Sequence, residues 1–342
     1  MVELNGKKIL VTFLMHLGDL TLTTPFIHAL RKAAPDAHIT MLVDEKLKDV
    51  VLFNPYLDEV VTIDKKGRDN SILSLWACSR HLSKLDFDVL INLHPNERCS
   101  FIDAMTSVKL RTGTTHKIFK WFWDVFTPLD RSMHAADMYL DVLQQLGVQD
   151  LSSNGLEIFP GEEHFLEAEL FWQEQNITDQ DKLIGFNIGS ALPTKRWPPE
   201  RFAEVADIFA AKGYKTVFFG GPMDEEMVAE ATGYMQTRPI IATGHFAIGG
   251  LAAAMRRCCL IITNDSGPMH VAISQKVPIV AMYGPSNPKL YGPYTKDAVI
   301  VTAQLPCQGC ADGMKHSCDD LQCMSRMTVE QVVAAAEKML EK

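Results

Sequence analysis

Short apolar runs alternate with segments of helical periodicity along the first part of the chain. The runs are KKILVTFLM, HITMLVD, EVVTID and FDVLINLH, and the segments at about 20–34 and 70–84 carry apolar residues at helical spacing. Strands that alternate with helices in this way are typical of βαβ units, which build a parallel sheet. The pattern therefore predicts a doubly wound domain.

A second series of apolar runs begins near residue 182. Its runs are KLIGFNIGS, KTVFFGG, PIIATG, CLIITND and PIVAMYG, and helical segments again separate them. The final stretch, TVEQVVAAAEKMLEK, has helical spacing, with Thr328 as its candidate N-cap. We therefore predict an α/β protein with doubly wound domains at 1–160 and 161–327. A terminal helix at 328–342 is expected to pack back toward the N-terminal domain.

Composition narrows the class of protein. The chain has 342 residues, of which 47% are hydrophobic and 22% charged, and its formal net charge is −9. This length suits two domains, and the acidic total argues against a partner that is a nucleic acid. The sequence contains no run of 18 apolar residues and no signal-peptide pattern at its N-terminus. We therefore expect a cytoplasmic protein that binds no nucleic acid.

An aspartate stands where the first strand gives way to the first helix. In MHLGDLTLTTP, residues 15–25, the turn at Gly18 and Asp19 follows an apolar run that ends at Leu14. A carboxylate at a helix start can accept free backbone N–H groups and oppose the positive end of the helix dipole. The carboxyl ends of strands in an open parallel sheet are also where ligands bind. The segment alone leaves both interpretations open.

Three strand ends of the second series carry groups suited to an anion. NIGSALPTKRWPPERFAEV presents Lys195 and Arg196 before a helix that begins with prolines, and LIITNDSGPMHVAIS leads through Asp265 and Ser266 into another helix. VAMYGPSNPKLYGPY adds a Gly-Pro turn. Cations beside the N–H groups of a helix N-terminus suit a phosphate. The alternative for the Lys-Arg pair is a solvated basic loop.

These segments resemble the hallmark segments of glycosyltransferase family 9, the lipopolysaccharide heptosyltransferases. The resemblance rests on HLGDLTLTTPFIHALRKAAPDAHITMLV, KRWPPERFAEVA, TNDSGPMHVA and VPIVAMYGPSNPKLYGPY, and it covers nearly the whole chain. It implies a GT-B fold, in which an acceptor-binding and a nucleotide-sugar-binding Rossmann-like domain face a cleft. It also implies an inverting transfer of heptose from ADP-heptose to the inner core of lipopolysaccharide, with no cofactor required for catalysis.

The resemblance assigns roles residue by residue. Asp19 corresponds to the general base of the family and would take the proton from the acceptor hydroxyl. Lys195 corresponds to the lysine that neutralises the donor diphosphate. Glu225 or Glu226 is expected at the ribose hydroxyls, and Phe246 over the adenine. The full set of expected donor-binding residues is Thr194, Lys195, Glu225, Phe246, Asp265, Ser266, Gly267 and His270.

The acceptor side is expected in INLHPNERCSF and KLRTGTTHKIFKWFWDVF of the first domain. Lys117 and Lys120 stand beside aromatic residues there, as a phosphorylated lipid would favour, although a solvated loop followed by core aromatics fits equally well. The family implies a lipopolysaccharide core precursor as acceptor, Kdo-lipid A or its heptosylated form. We expect peripheral contact with the inner face of the inner membrane. The candidate acceptor-binding residues are Gly18, His94, Asn96, Arg98 and Arg111.

Four cysteines near the C-terminus have the spacing C-x2-C-x7-C-x4-C. Two close pairs of thiols could hold a structural zinc ion, and free thiols or a disulfide are the alternatives. The four are Cys307, Cys310, Cys318 and Cys323.

Other functions stay open from the sequence alone. A family 9 enzyme with another nucleotide-sugar donor or acceptor would have the same fold. A non-catalytic nucleotide-sugar-binding protein is a second alternative. A nicotinamide-dependent dehydrogenase lacks support because no G-x-G-x-x-G follows the first strand.

Overall fold

The computed structural model of the chain describes residues 2–310, 318 and 320–341. The chain divides into two compact units, Met1–Phe159 and Pro160–Lys342, beside the boundary predicted after residue 160. Each unit contains a six-stranded parallel sheet. Across the described residues, no helix is both long enough and apolar enough to cross a membrane.

The first unit is a doubly wound sheet with the order β3-β2-β1-β4-β5-β6. Its central strands are buried on both faces, which explains why they are continuous apolar runs rather than alternating ones. The strands are β1 (Lys8–Thr12), β2 (His38–Asp44), β3 (Glu59–Ile63), β4 (Val89–Asn92), β5 (Leu110–Gly113) and β6 (Val125–Phe126).

The helices of the first unit follow the predicted alternation. Short 3-10 helices at Glu45–Val50 and Lys117–Phe122 supplement them. The α-helices are α1 (Leu17–Thr21), α2 (Thr24–Ala33), α3 (Ile72–Ser83), α4 (Glu97–Met105) and α5 (Ala135–Gln145). The chain leaves β1 toward one side of the sheet and β4 toward the other, so the neighbouring carboxyl ends of β1 and β4 form a topological switch point.

The second unit repeats this arrangement with the order β12-β11-β10-β7-β8-β9. Its strands are β7 (Leu183–Asn187), β8 (Lys215–Phe219), β9 (Ile240–Ile241), β10 (Cys258–Asn264), β11 (Ile279–Met282) and β12 (Ala298–Val301). Here the switch point lies between the neighbouring strands β7 and β10. Trp197 is fully buried beside Phe202 in the core of this unit, at a ring distance of 5.1 Å.

The helices of the second unit begin with α6, at Glu162–Glu174. Two short 3-10 helices lie at Pro193–Lys195 and Pro222–Asp224. The α-helices are α6 (Glu162–Glu174), α7 (Pro199–Ala211), α8 (Glu225–Tyr234), α9 (Ile248–Met255), α10 (Gly267–Ser274), α11 (Pro288–Tyr291), α12 (Gln322–Ser325) and α13 (Val329–Leu340).

The terminal helix α13 begins at the predicted N-cap. The Thr328 side chain accepts a hydrogen bond from the Gln331 backbone N–H, and the Gln331 side chain completes a capping box. The apolar face of α13, with Val332 and Ala336 fully buried, packs on β10, β11, β12 and α7. We expected this helix to pack toward the N-terminal domain. Its apolar face instead forms part of the core of the second unit.

Candidate active site

Asp19 lies in the first turn of α1, directly beyond the carboxyl end of β1. His16 is the N-cap of this helix, and its side chain makes no capping hydrogen bond. Gly18 and Asp19 are both half-buried. The structure therefore places the predicted base at the edge of the sheet where ligands bind in this class of fold, in a position that also suits the helix dipole.

His94 follows β4 and lies near the start of α1. Its backbone N–H donates to Asn92 Oδ1 at 2.8 Å, which fixes the turn after the strand. Burial, together with the positive charges of Arg131 and His16, lowers the pKa of His94 to about 4. The imidazole is therefore neutral at physiological pH, where it can exchange hydrogen bonds with a sugar hydroxyl without carrying charge.

Asn96 and Arg98 shape the loops around this edge of the sheet. The Asn96 side chain caps α4 by accepting from the backbone N–H groups of Arg98 and Cys99. The Arg98 guanidinium donates to the Lys65 carbonyl and to the Asn70 side chain. Both residues therefore have a demonstrable structural role, and their predicted contact with the acceptor stays a prediction.

Arg111 is not brought to this edge of the sheet, which corrects its placement among the acceptor-binding residues. It lies in β5 opposite Leu90, before the strand ends. Its guanidinium donates to the carbonyl oxygens of Asp103, at 3.1 Å, and of Thr106. Because these carbonyls belong to the C-terminal end of α4, the arginine satisfies the last turn of that helix.

The basic and aromatic segment after β5 combines the two alternatives that its sequence left open. Trp123 is a core residue whose indole N–H donates to the Thr112 carbonyl at 3.0 Å. Trp121, in contrast, is 95% exposed and Ile118 is 59% exposed. Lys120 lies over the Phe126 ring at 4.4 Å. The 3-10 helix Lys117–Phe122 therefore presents apolar and cationic groups on the surface.

A buried ion pair marks the switch point of the second unit. Lys195 Nζ lies 2.7 Å from Asp265 Oδ2, and the Ser286 hydroxyl donates to the same carboxylate oxygen. Both members of the pair are largely buried. The three residues follow β7, β10 and β11, so the three strand ends expected to carry an anion site do converge.

Hydrogen bonds between neighbouring loops hold this cluster in place. Asn264 accepts from the Trp197 backbone N–H at 3.0 Å and donates to the Ile188 carbonyl at 2.7 Å. Ser190 Oγ donates to the Asp265 carbonyl at 3.1 Å. Buried side-chain bonds of this kind fix the backbone on either side of the ion pair.

The start of α10 lies beside the ion pair. Ser266 is the N-cap, Gly267 is the first residue of the helix, and His270 is buried within it. The Thr194 hydroxyl, next to Lys195, is buried and has no hydrogen-bond partner among the described residues. A hydroxyl in that state suits contact with a ligand oxygen. These predicted donor-binding residues therefore lie along one edge of the sheet.

Glu225 and Phe246 lie further along this edge, beyond β8 and β9. The Glu225 carboxylate lies against Gly244, since a Cβ on that glycine would stand 2.6 Å from Glu225 Oε1. Gly244 has φ +75°, a conformation that favours glycine. Phe246 is half-buried and packs edge-on to Phe171, with ring centroids 5.0 Å apart. Their contact with a nucleoside stays a prediction.

Sequence reasoning missed two side chains at this edge. The Ser286 hydroxyl donates a hydrogen bond to the Asp265 carboxylate. Its position in the Gly-Pro-Ser-Asn turn after β11 was the feature of the sequence that could have indicated this contact. The Asp224 carboxylate lies against Gly189, where an added Cβ would be 2.2 Å from Oδ1. The carboxylate fits there because Gly189 has no side chain. The Gly-Ser turn after β7 was the feature of the sequence that could have indicated this contact.

The four C-terminal cysteines line one cavity of about 340 Å³. All are free thiols, and among the described residues no three histidine, cysteine, aspartate or glutamate side chains are placed to hold a metal ion. A structural zinc ion therefore stays one of the alternatives that the sequence left open. Metal analysis of the purified protein decides between them: about one zinc per chain, lost in Cys307→Ser, would support the zinc site, and the absence of zinc would reject it.

The comparison with known proteins agrees with the resemblance inferred from the motifs. The sequence profile of glycosyltransferase family 9 (heptosyltransferase) matches residues 75–318, more than half of the chain. Lipopolysaccharide heptosyltransferase 3 of Escherichia coli (strain K12) is 24% identical to this chain over 343 residues, which span 94% of this chain and 95% of that protein.

Solved structures show the same fold. The glycosyl transferase family 9 protein of Veillonella parvula DSM 2008 is 53% identical, with a TM-score of 0.95 and coverage of 99% of each chain. The E. coli ADP-heptose lps heptosyltransferase II is 21% identical, with a TM-score of 0.82 and coverage of 98% of each chain. The predicted GT-B fold, with its two Rossmann-like domains, is confirmed.

The fold and its polar strand ends define a glycosyltransferase of the GT-B class. The chain belongs to glycosyltransferase family 9, the family of the lipopolysaccharide heptosyltransferases.

Proposed function

We propose that this enzyme transfers heptose from ADP-heptose to the inner core of lipopolysaccharide, with inversion at the anomeric carbon. The observation that carries the proposal is the cluster at the switch point of the second unit. There the Lys195 ammonium lies between the ends of β7 and β10, next to the first turn of α10. A cation and a helix N-terminus at adjacent strand ends suit the diphosphate of a nucleotide sugar.

Inverting transfer needs a base on one side of the anomeric carbon and stabilisation of the leaving group on the other. In the proposal Asp19 takes the proton of the attacking acceptor hydroxyl. The C1–O bond to the diphosphate breaks as the new glycosidic bond forms, and ADP leaves with its negative charge. Lys195 donates one hydrogen bond to Asp265, and its two other N–H groups would bind phosphate oxygens.

The nucleoside would extend along the same edge of the sheet toward β8 and β9. Glu225 would accept hydrogen bonds from the ribose hydroxyls, and Phe246 would pack on the adenine. The donor named for the E. coli relative, ADP-heptose, supports this choice of nucleotide. A different nucleotide sugar would place other groups on Phe246 and Glu225, so the donor is open to direct test.

The surface of the first unit supports a lipid-linked acceptor. The 3-10 helix Lys117–Phe122 exposes apolar and cationic side chains, and α3 exposes Leu73 and Trp76. Both elements contact α4. We define the docking surface as the exposed apolar side chains of α3 and of this 3-10 helix, together with Lys117 and Lys120. Such a surface suits the anionic headgroups at the cytoplasmic face of the inner membrane.

A donor panel tests the proposed function. The purified enzyme is given ADP- and UDP-linked sugars with Kdo-lipid A or its heptosylated form, and transfer is followed by mass spectrometry of the lipid. We expect transfer from ADP-heptose alone. Transfer from a UDP-sugar at an equal or higher rate would overturn the donor assignment. Binding of ADP-heptose without transfer to either acceptor would favour the non-catalytic alternative.

Asp19→Asn separates catalysis from binding in the same assay. A general base contributes about 10²- to 10⁴-fold to a rate, so we expect the substitution to lower kcat by a factor in that range. The Kd of ADP should stay unchanged. Asp36→Asn, at an exposed aspartate of the same unit, is the control and should retain activity. Transfer by Asp19→Asn at the wild-type rate would contradict the assignment of the base.

A further inference from the structure

A buried lysine stands beside the segment that leads from β1 to Asp19. Lys65 follows β3 and is only 9% exposed. Its Nζ lies 3.1 Å from Asp44 Oδ2 and donates to the carbonyl oxygens of Leu14 at 3.0 Å and of Met15 at 2.7 Å. The three N–H groups of the ammonium therefore each have an acceptor.

The two carbonyls bound by Lys65 belong to the last residues before the N-cap of α1. Leu14 and Met15 come directly before His16, and the Leu20 backbone N–H returns to the His16 carbonyl. The ammonium thus fixes the backbone between β1 and the first turn of α1, which carries Asp19. A buried charge is stable only when it is paired and hydrogen-bonded, so this geometry is closely determined.

The surrounding loops hold Lys65 itself. Its partner Asp44 also accepts from the Lys46 backbone N–H, which anchors the carboxylate to the start of the 3-10 helix Glu45–Val50. The Lys65 carbonyl accepts from Arg98 in the first turn of α4. Asp64, the preceding residue, accepts from the Gly67 backbone N–H at 2.9 Å. The lysine therefore joins the loops that follow β1, β2, β3 and β4.

From this arrangement we infer that Lys65 is a positioning residue for the transfer reaction. It holds the backbone of Leu14 and Met15 so that the Asp19 carboxylate meets the acceptor hydroxyl at the correct distance and angle. The inference rests on the proposed function, because it assigns Lys65 a role through the proposed base. A displacement of about 1 Å in a reacting group can lower a rate about 100-fold, so the effect is measurable.

Lys65→Met tests this role, since methionine keeps much of the apolar stem and removes the ammonium. We expect kcat to fall about 10- to 100-fold while the KM for ADP-heptose and the Kd of ADP stay at their wild-type values. Lys65→Arg restores a cation with several donors and is expected to regain part of kcat. The matched control is Lys32→Met, which removes an exposed lysine of the same unit that is paired with Asp150 at 2.7 Å.

The split between kcat and the donor KM distinguishes positioning from a role in folding alone. Loss of folded protein would lower the concentration of active sites, which ADP titration counts directly, and would leave kcat per site unchanged. If Lys65→Met does not fold, Asp44→Asn is used in its place. This variant weakens the ion pair that holds the Lys65 ammonium and retains the lysine. Wild-type kcat per site in the folded variant overturns the inference.

The companion variant Asp19→Asn separates this inference from the proposed function. If Asp19→Asn transfers heptose at the wild-type rate, the assignment of the base is wrong, and the positioning role of Lys65 is rejected with it. If Asp19→Asn is inactive and Lys65→Met retains wild-type kcat, the proposed function stands and the positioning role alone is rejected.

Discussion

The carboxylate of Asp265 is buried, and burial of an isolated charge is energetically unfavourable. This carboxylate is stabilised by the Lys195 ammonium at 2.7 Å and by the Ser286 hydroxyl. Removing one member of such a pair leaves the other charge buried and uncompensated. A simple loss of stability after mutation would therefore say little about donor binding, and a test of Lys195 must separate the two effects.

A comparison of two ligands makes that separation for Lys195. We predict that Lys195→Met weakens ADP binding by about 10- to 100-fold, because a hydrogen bond to a charged group contributes about 1.5–3 kcal/mol. Adenosine lacks the diphosphate, so its affinity should not change. Isothermal titration calorimetry measures the affinities for both ligands and checks this prediction.

Lys212→Met is the control, since it removes an exposed lysine of the same unit that pairs with Glu337. Its affinity for ADP should stay at the wild-type value. Equal losses of ADP and adenosine binding in Lys195→Met would indicate a disturbed fold and would contradict a specific contact with the diphosphate.

Asp103 gives the first unit a pH-dependent stability. It is fully buried below the switch point, where Oδ2 accepts from the Thr12 hydroxyl at 2.9 Å and from Asn92 Nδ2 at 2.6 Å. Burial raises the pKa of Asp103 to about 8, even though these hydrogen bonds lower it. The folded protein therefore keeps this side chain protonated at neutral pH, while the unfolded chain ionises near pH 4.

The sign of the effect follows from the number of bound protons. Between about pH 4 and pH 8 the folded state holds one more proton at Asp103 than the unfolded state, so its contribution to stability is present at low pH and is lost as the pH rises. We predict that Asp103→Asn removes this loss. The difference in unfolding free energy between wild type and variant should change by up to about 1.4 kcal/mol per pH unit.

Urea denaturation from about pH 5 to about pH 8 measures this difference. Asp130→Asn is the control, because its carboxylate is exposed and hydrogen bonds from Ser132 lower its pKa instead. A difference between wild type and Asp103→Asn that does not change with pH would contradict the protonated state of the buried carboxyl group.

At the scale of elements, the sequence predicts the sheets well because their signal is local. Each buried parallel strand is a continuous apolar run bounded by turns, so β1 and β10 are visible without knowledge of their neighbours. The caps are equally local, as Thr328 at the start of α13 shows. Strand ends of one parallel sheet must share an edge, and this is why Lys195 and Asp265 could be placed together.

The failures concern contacts made across long distances in the sequence. Arg111 is one residue in a basic segment, and nothing local shows that its guanidinium turns to the carbonyls at the end of α4. The apolar face of α13 reveals that the helix packs, but not which sheet it covers. Lys65 was missed because a lysine between strands normally signals a solvated loop, whereas its acceptors lie about 50 residues earlier in the chain.

At the scale of the whole molecule, the acidic composition must be reconciled with the lipid-linked acceptor that we propose. The formal net charge of −9 opposes approach to an anionic membrane. The docking surface offers a local solution, because long-range repulsion is screened beyond about 8–10 Å at physiological salt. Lys117 and Lys120 stand beside the exposed side chains of Ile118 and Trp121, so in the proposed contact with the membrane charge attraction and apolar insertion would act at one place.

Two measurements separate these contributions. We predict that Lys117→Glu with Lys120→Glu weakens binding to phosphatidylglycerol vesicles by at least about 10-fold, since each basic residue near such a surface contributes about 1 kcal/mol. Binding to neutral vesicles should change little. Trp121→Ala should instead weaken binding to both kinds of vesicle, because it removes apolar area that does not depend on lipid charge. Vesicle sedimentation measures all of these affinities.

The decisive control keeps the change in net charge and moves it elsewhere. Lys182→Glu with Lys296→Glu alters the total by the same amount at two exposed lysines of the second unit. If binding follows the docking surface, this variant should retain most of its affinity for anionic vesicles. If both double variants lose affinity equally, only the overall charge of the protein matters. Unchanged binding by both would show that neither pair of lysines contributes to contact with the membrane.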